Sequence, residues 1–157
     1  MPTERFHMNI TCRPFENTDA DDIIRIQNEW VKENITYGYC ADSVDEIVNY
    51  DKEYFYLAVD NNRVIGYVTA EICINDGLGY MNVYPKGAQY LQVSDLYVCS
   101  DYRNNRIGEK LLSLVEEKAK ENHVQYFYIS SAAKDAEAVR RFYQRNGYQI
   151  WTTVFFK

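Results

Sequence analysis

A chain of 157 residues, 46% hydrophobic and 25% charged, has an ordinary globular balance and can bury one sizeable core. Its formal net charge of −6 argues against general nucleic-acid binding and mildly favours a cationic substrate such as an amine. Cys12, Cys40, Cys73 and Cys99 form no C-x-x-C pair, and His7 and His123 sit in no ligand or triad pattern, so a metal cluster, a disulfide framework and a Ser-His-Asp enzyme are set aside. No apolar run is long enough to span a bilayer, and residues 1–7 carry no apolar leader segment. The expectation is a single domain over residues 1–157, cytoplasmic, without membrane or nucleic-acid partners and without a metal.

In chain order, residues 8–13 read as a strand closed by Pro14. Thr18 or Asp19 caps a helix over residues 20–32, with Ile23, Ile26 and Trp30 on one face. Ser43 caps a short helix through Tyr50, and Glu46 completes a capping box. Residues 54–59 and 64–74 are two strands joined by the turn Asp60-Asn61-Asn62-Arg63. A longer connection over residues 75–87 follows, then a strand at 88–98 and a helix at 106–121. The inner stripe of that helix reads as Ile107, Leu111, Leu114, Val115 and a snorkelling Lys118. Residues 124–130 form an aromatic-rich strand, 135–145 a helix stopped at Asn146-Gly147, and 148–156 a last strand. The fold class is α/β (α+β): a mixed, mostly antiparallel sheet with helices on both faces and a right-handed parallel crossover at its centre.

The stretch from Tyr90 to Leu114 organises this order. An extended run passes through a short polar turn into an amphipathic helix. The first N–H groups of a helix lack partners, and the helix dipole favours negative charge there. Arg103 and Arg106 add positive charge at that mouth, and Gly108 permits close backbone approach. Gly108 is followed by Glu109-Lys110, which disfavours a triphosphate loop.

Arg103-Asn104-Asn105-Arg106-Ile107-Gly108 resembles the pyrophosphate signature of the GNAT superfamily of acetyl-coenzyme A-dependent N-acetyltransferases, with Arg106 where the first glycine is usual. Asp95-Leu96-Tyr97-Val98 resembles the strand that pairs with the pantetheine arm in that family. Phe142-Tyr143-Gln144-Arg145-Asn146-Gly147-Tyr148 matches its Phe-Tyr-x-x-x-Gly-Phe/Tyr pattern, while Ala136 stands where an asparagine contact is usual and no contact is carried over. The resemblance spans residues 10–155. It implies acetyl-coenzyme A as cosubstrate, with the pyrophosphate on Arg103, Asn104, Asn105, Arg106, Ile107, Gly108 and Glu109, and the arm on the main chain of Leu96, Tyr97 and Val98. It also implies a central strand splayed from the one that follows.

The implied chemistry is direct attack of a neutral amine on the thioester, aided by alignment. The Val98 N–H is placed to polarise the thioester carbonyl. Tyr143 is the candidate general acid for the departing thiolate, and Glu71 and Asp95 are candidate bases. Gln92 can orient a water but cannot act as a base. Cys99 would suit an acetyl-cysteine route, but only Arg103 is nearby to lower its pKa. The acceptor, a small-molecule amine or a peptide or protein amine, is expected to meet Trp30, Tyr37, Tyr39, Tyr80 and Tyr84, whose rings suit a cation. The alternative is a non-catalytic acyl-coenzyme A sensor or interaction module on the same fold. Monomer and homodimer both remain open.

Overall fold

A computed structural model describes residues 8–79 and 83–157. Strand β1 (Ile10–Pro14) is followed by helices α1 (Ala20–Glu33) and α2 (Val44–Val48), then by strands β2 (Phe55–Asp60), β3 (Arg63–Ile74) and β4 (Gln89–Val98). Helix α3 (Ile107–Glu121), strand β5 (Tyr126–Ile129) and helix α4 (Ala136–Arg145) complete the order. The five strands lie in the order β1-β2-β3-β4-β5. All neighbours are antiparallel except β4 and β5, which are parallel.

Local chemistry sets several boundaries. Ser43 accepts from the Glu46 N–H and the Glu46 carboxylate accepts from the Ser43 N–H, the capping box expected from the sequence. Asn61 and Asn62 both adopt positive φ (46° and 68°), which gives the β2–β3 turn the hand that a twisted hairpin needs. Gly147 ends the α4 region at φ 89°. No helix among the described residues is long and apolar enough to cross a membrane.

Two apolar layers flank the sheet. On one face Phe15, Ile23, Ile26 and Ile47 pack on Phe55, Leu57, Tyr67 and Tyr97. On the other, α3 packs on Ala58, Ile65, Val68, Leu91 and Val93, with Phe142 and Tyr143 of α4 joining from the side. The buried stripe of α3 is Ile107, Leu111, Leu112, Val115 and Ala119. It is therefore rotated from the expected one. Leu112 replaces Leu114, and Lys118 lies beside Glu53 (3.6 Å) and Glu121 (3.5 Å) at the surface.

Two features differ from the sequence reading. Residues 148–156 form no strand, and Val154, Phe155 and Phe156 stand exposed, so the parallel pair lies at one edge of the described sheet. Those residues are β-prone, but propensity alone supplies no hydrogen-bonded neighbour. Tyr80 falls outside the described residues.

Candidate active site

The site begins with a register fault. Asp95 of β4 faces Thr69 of β3, whereas Val93 faces Ala70, so Ser94 is an extra residue in β4. A bulge bends its strand and re-aims side chains. The β4–β5 pairing runs from Tyr90↔Tyr126 to Val93↔Ile129 and stops at this bulge. Beyond it the two strands part, and the β5-side edge of residues 94–98 has no strand partner among the described residues. The Cys99 N–H turns to β3 and bonds Ile65 O at 2.9 Å. By alternation the main-chain groups of Leu96 and Val98 face the open edge. The Val98 carbonyl already accepts from Arg103 Nε (2.9 Å), leaving its N–H available.

A cavity of about 1060 Å³ fills the gap. Its lining includes residues 93–98 of β4, Asn104 and Arg106 of the turn before α3, Gly108 and Glu109 of its first turn, residues 129–133 from the end of β5 onward, and Phe142 and Tyr143 of α4. Helix α3 opens from Arg106 in the left-handed region (φ 60°), and no side chain caps it. Its first N–H groups are thus left for a ligand. A Cβ on Gly108 would lie 3.5 Å from Phe142 and 3.9 Å from Val98, both lining residues, so that face of the glycine looks into the cavity.

Arg103 does not behave as a free cation. Its guanidinium forms a fork with Glu33 of α1, Nη1 to Oε2 at 2.8 Å and Nη2 to Oε1 at 2.7 Å. The same carboxylate accepts from the Tyr97 hydroxyl. Burial works to raise the Glu33 pKa, but the bonds from Arg103 and Tyr97 outweigh it and hold the carboxyl below its usual value. Arg103 therefore braces the turn. The ring of Tyr97 stacks on Trp30 with centroids 4.9 Å apart. Arg106 and Arg145, by contrast, form no ion pair among the described residues, and together they line a second hollow of about 400 Å³ beside the cavity.

Tyr143 lies in the cavity wall between Phe142 and Tyr148, edge-on to both rings. Its hydroxyl has no hydrogen-bond partner among the described residues. Burial pushes its pKa up to about 12. Asp95 reaches the same cavity from the face of β4 that carries α1. Tyr67 donates to Asp95 Oδ2 at 2.7 Å, and Tyr39 approaches the same oxygen at 3.5 Å. Desolvation raises the Asp95 pKa above its ordinary value. The bonds from Tyr67 and Tyr39 oppose that rise, and the charge of Asp42 adds to it. The hydroxyl of Thr69, opposite Asp95, is buried without a partner.

The other candidates fall elsewhere. Glu71 is exposed on β3, opposite Gln92, and neither residue lines the cavity. Cys99 is buried and donates to Glu29 Oε2 at 3.3 Å; desolvation first, then that bond, push its thiol up to about 12. It is not a thiolate nucleophile. Of the expected acceptor-side rings, Trp30, Tyr37 and Tyr39 line the cavity, with Trp30 and Tyr39 stacked at 3.9 Å. Tyr84 instead donates to the Phe127 carbonyl and packs on Tyr126 and Trp151, covering β5. Sequence reasoning missed Tyr67 and Arg145. Arg145 had a signal, since it follows Arg141 by one helical turn on a helix whose Phe142-Tyr143 was already singled out.

Residues 15–148 match the Acetyltransferase (GNAT) family. The chain belongs to that family. It is 26% identical over 137 residues to the aminoalkylphosphonate N-acetyltransferase of Salmonella typhimurium, covering 83% of this chain and 79% of that protein. Among solved structures, glucosamine-6-phosphate N-acetyltransferase from Arabidopsis thaliana superposes with a TM-score of 0.69 at 13% identity, covering 95% of this chain and 97% of that one. The aminoglycoside N-acetyltransferase AAC(6')-Iy in complex with CoA gives 0.67 at 13%, over 94% and 97%. At those identities the structural likeness speaks for the fold. As the sequence implied, this member of the family has a mixed sheet with helices on both faces, with five strands among the described residues in place of the six expected.

Proposed function

We propose that this GNAT chain transfers an acetyl group from acetyl-coenzyme A to a primary amine by direct attack on the thioester. One observation carries the reading: the unpaired edge of β4, the uncapped start of α3 and the unpartnered Tyr143 hydroxyl all border one cavity. The donor has three handles, and each finds its chemistry there. Main-chain groups of Leu96 and Val98, which flank the β3-bonded Tyr97, take the pantetheine amides as an added strand would. The N–H groups of residues 104–109 take the pyrophosphate, with Arg106 and Arg145 supplying charge in place of the neutralised Arg103.

At the reacting end, Asp95 accepts a proton from the acceptor's ammonium. The freed lone pair attacks the carbonyl carbon, whose oxygen leans on the Val98 N–H. The C–S bond breaks, the thiolate takes the Tyr143 proton, and the nitrogen, still carrying one proton too many after attack, releases it to solvent, which reprotonates Tyr143 and takes up the proton held by Asp95. No metal is called for. Trp30 and Tyr39 give the acceptor an aromatic wall beside a carboxylate, a setting that suits an alkylammonium. The curated relative, named for an aminoalkylphosphonate, supports a small amine.

The test has two arms. Isothermal titration of coenzyme A into ligand-free protein is expected to show saturable binding, and its absence would sink the reading. Release of free thiol from acetyl-coenzyme A across a panel of small primary amines and peptides is expected for some acceptors. Tight coenzyme binding with no acetylation anywhere in the panel would favour a non-catalytic acyl-coenzyme A sensor.

A further inference from the structure

The face of the sheet beneath α1 carries a buried polar chain that the reaction above does not use. Gln27 and Tyr67 are both fully buried. Gln27 is fixed at both ends of its amide: Oε1 accepts from the Asp42 N–H (2.8 Å) and Nε2 donates to Asp42 Oδ2 (2.7 Å). Tyr50 donates to that same Asp42 oxygen at 2.5 Å. Gln27 Nε2 also points at the Tyr67 oxygen, 3.3 Å away. An amide nitrogen only donates and an ionised carboxylate only accepts. The single Tyr67 proton goes to Asp95 Oδ2, at 2.7 Å the nearest acceptor to that hydroxyl. Tyr39, 3.1 Å from the Tyr67 oxygen and 3.5 Å from Oδ2, closes the same cluster. Every protein hydrogen bond to the Asp95 carboxylate falls on Oδ2; Oδ1 receives none among the described residues.

We propose that Tyr67, oriented by Gln27, is a positioning residue that pins Asp95 through Oδ2 and so presents Oδ1 to the acceptor's ammonium. The inference rests on the acetyl-transfer reading for its use, but not for its measurement. A tyrosine serving only as core filling would be replaced by phenylalanine without consequence for a carboxylate. A tyrosine that donates to the ionised form stabilises that form, so its loss makes the carboxylate a stronger base. The groups facing Asp95 are Tyr67 from β3, Tyr39 and Asp42 from the α1–α2 connection, and Tyr50 from beyond α2. Asp42 raises the Asp95 pKa, and the Tyr67 and Tyr39 hydroxyls lower it.

The decisive experiment is the carboxyl-carbon NMR titration of Asp95 in the full chain, unmodified and as Tyr67→Phe, with no substrate present. The midpoint is expected to rise by about one pH unit, a tenfold gain in proton affinity. An unmoved midpoint would overturn the inference. The same variant is expected to move the acidic limb of the kcat/KM profile upward by a matching amount while leaving the KM for acetyl-coenzyme A in place. A uniform loss at every pH with an unmoved limb would also overturn it, since that is what damaged packing produces. Should Tyr67→Phe not fold, Gln27→Met removes the orienting donor, and a rise in the same midpoint is expected. Absence of turnover in the unmodified protein would count against the acetyl-transfer reading alone, because the carboxyl titration is read without it.

Discussion

The two ends of the cavity are built from different materials. The proposed donor end is mostly main chain: a bulged strand edge and the first turn of α3 within residues 93–109, with the Arg106 and Arg145 side chains beside it. The proposed acceptor end is side chain: Trp30 from α1, Tyr37 and Tyr39 from the connection after it, and Asp95 from β4, which the buried Tyr67 of β3 holds from behind. Main-chain groups are identical at every residue, so a donor end of this kind tolerates sequence change and holds one ligand class. Side-chain convergence is specific and fragile, which suits the end where acceptors must be told apart. Substitutions at the acceptor end should therefore damage turnover, and those at the donor end should damage affinity.

The sharpest break of that contrast is Asp95→Asn. The amide is isosteric but cannot take a proton, and it offers Tyr67 an acceptor still. We expect kcat to fall on the order of 10²–10³-fold, within the range for loss of a general base, with coenzyme A affinity by isothermal titration unchanged. A drop in coenzyme affinity as large as the drop in kcat would mean that the two ends are not separable. Next in size is Tyr143→Phe, for which kcat should fall roughly 10- to 100-fold. An unchanged kcat, with chemistry shown to be rate-limiting, would remove Tyr143 from the reaction. Its pH signature is also fixed in sign. An acid must be protonated to act, and with a pKa near 12 Tyr143 stays protonated throughout the neutral and mildly basic range. No descending limb assigned to Tyr143 is expected below pH 9. On the acidic side, the raised Asp95 pKa puts the limb above the ordinary aspartate value.

The same contrast explains what could be read from the sequence. The proposed donor end is contiguous, so strand, turn, Gly108 and helix appear in order along the chain, and hydrophobic period and capping give the fold except for the strand expected at 148–156. The acceptor end is assembled from residues far apart. Asp95 was in view as one of two carboxylates, but nothing local separates it from Glu71. Tyr67 was one of 15 tyrosines. The fork of Arg103 is hidden for the same reason: its partner Glu33 lies 70 residues away, and a guanidinium pairs with whichever carboxylate the fold supplies. The stripe of α3 differs from the one the period suggests: Leu112 and Leu114 are the same residue type, so only the packing of the helix on the sheet decides which is buried.

The Arg103–Glu33 brace offers a smaller, intermediate test. If Arg103 held the pyrophosphate, Arg103→Ala would cost coenzyme affinity and Glu33→Ala would improve it by freeing a cation. The fork at 2.7 and 2.8 Å predicts otherwise. Both side chains keep partial contact with solvent (36% and 23%), so the pair contributes only about 1 kcal/mol after screening. Each single variant should lower the unfolding free energy by a similar amount. The double variant should cost less than the sum, since the two residues share one interaction. Additive losses in chemical denaturation would dissolve the brace and return Arg103 to the ligand.

Gly108→Ala should give the smallest effect on the fold and still discriminate. A methyl group there would meet Phe142 at 3.5 Å and Val98 at 3.9 Å, both ordinary contacts, so nothing in the protein has to move. Alanine is also the better helix former, by up to about 1 kcal/mol in a helix interior and less in a first turn. The unfolding free energy should therefore stay within about 0.5 kcal/mol of the parent. Yet that methyl projects into the cavity beside the N–H groups at the start of α3, where a pyrophosphate must come close to bond them. Coenzyme A affinity is expected to fall roughly three- to tenfold, about 0.6–1.4 kcal/mol, while kcat at saturating acetyl-coenzyme A holds. An unchanged affinity in a stably folded variant would show that the donor does not cross this turn, and the main-chain account of the donor end would have to move from α3 to the β4 edge alone.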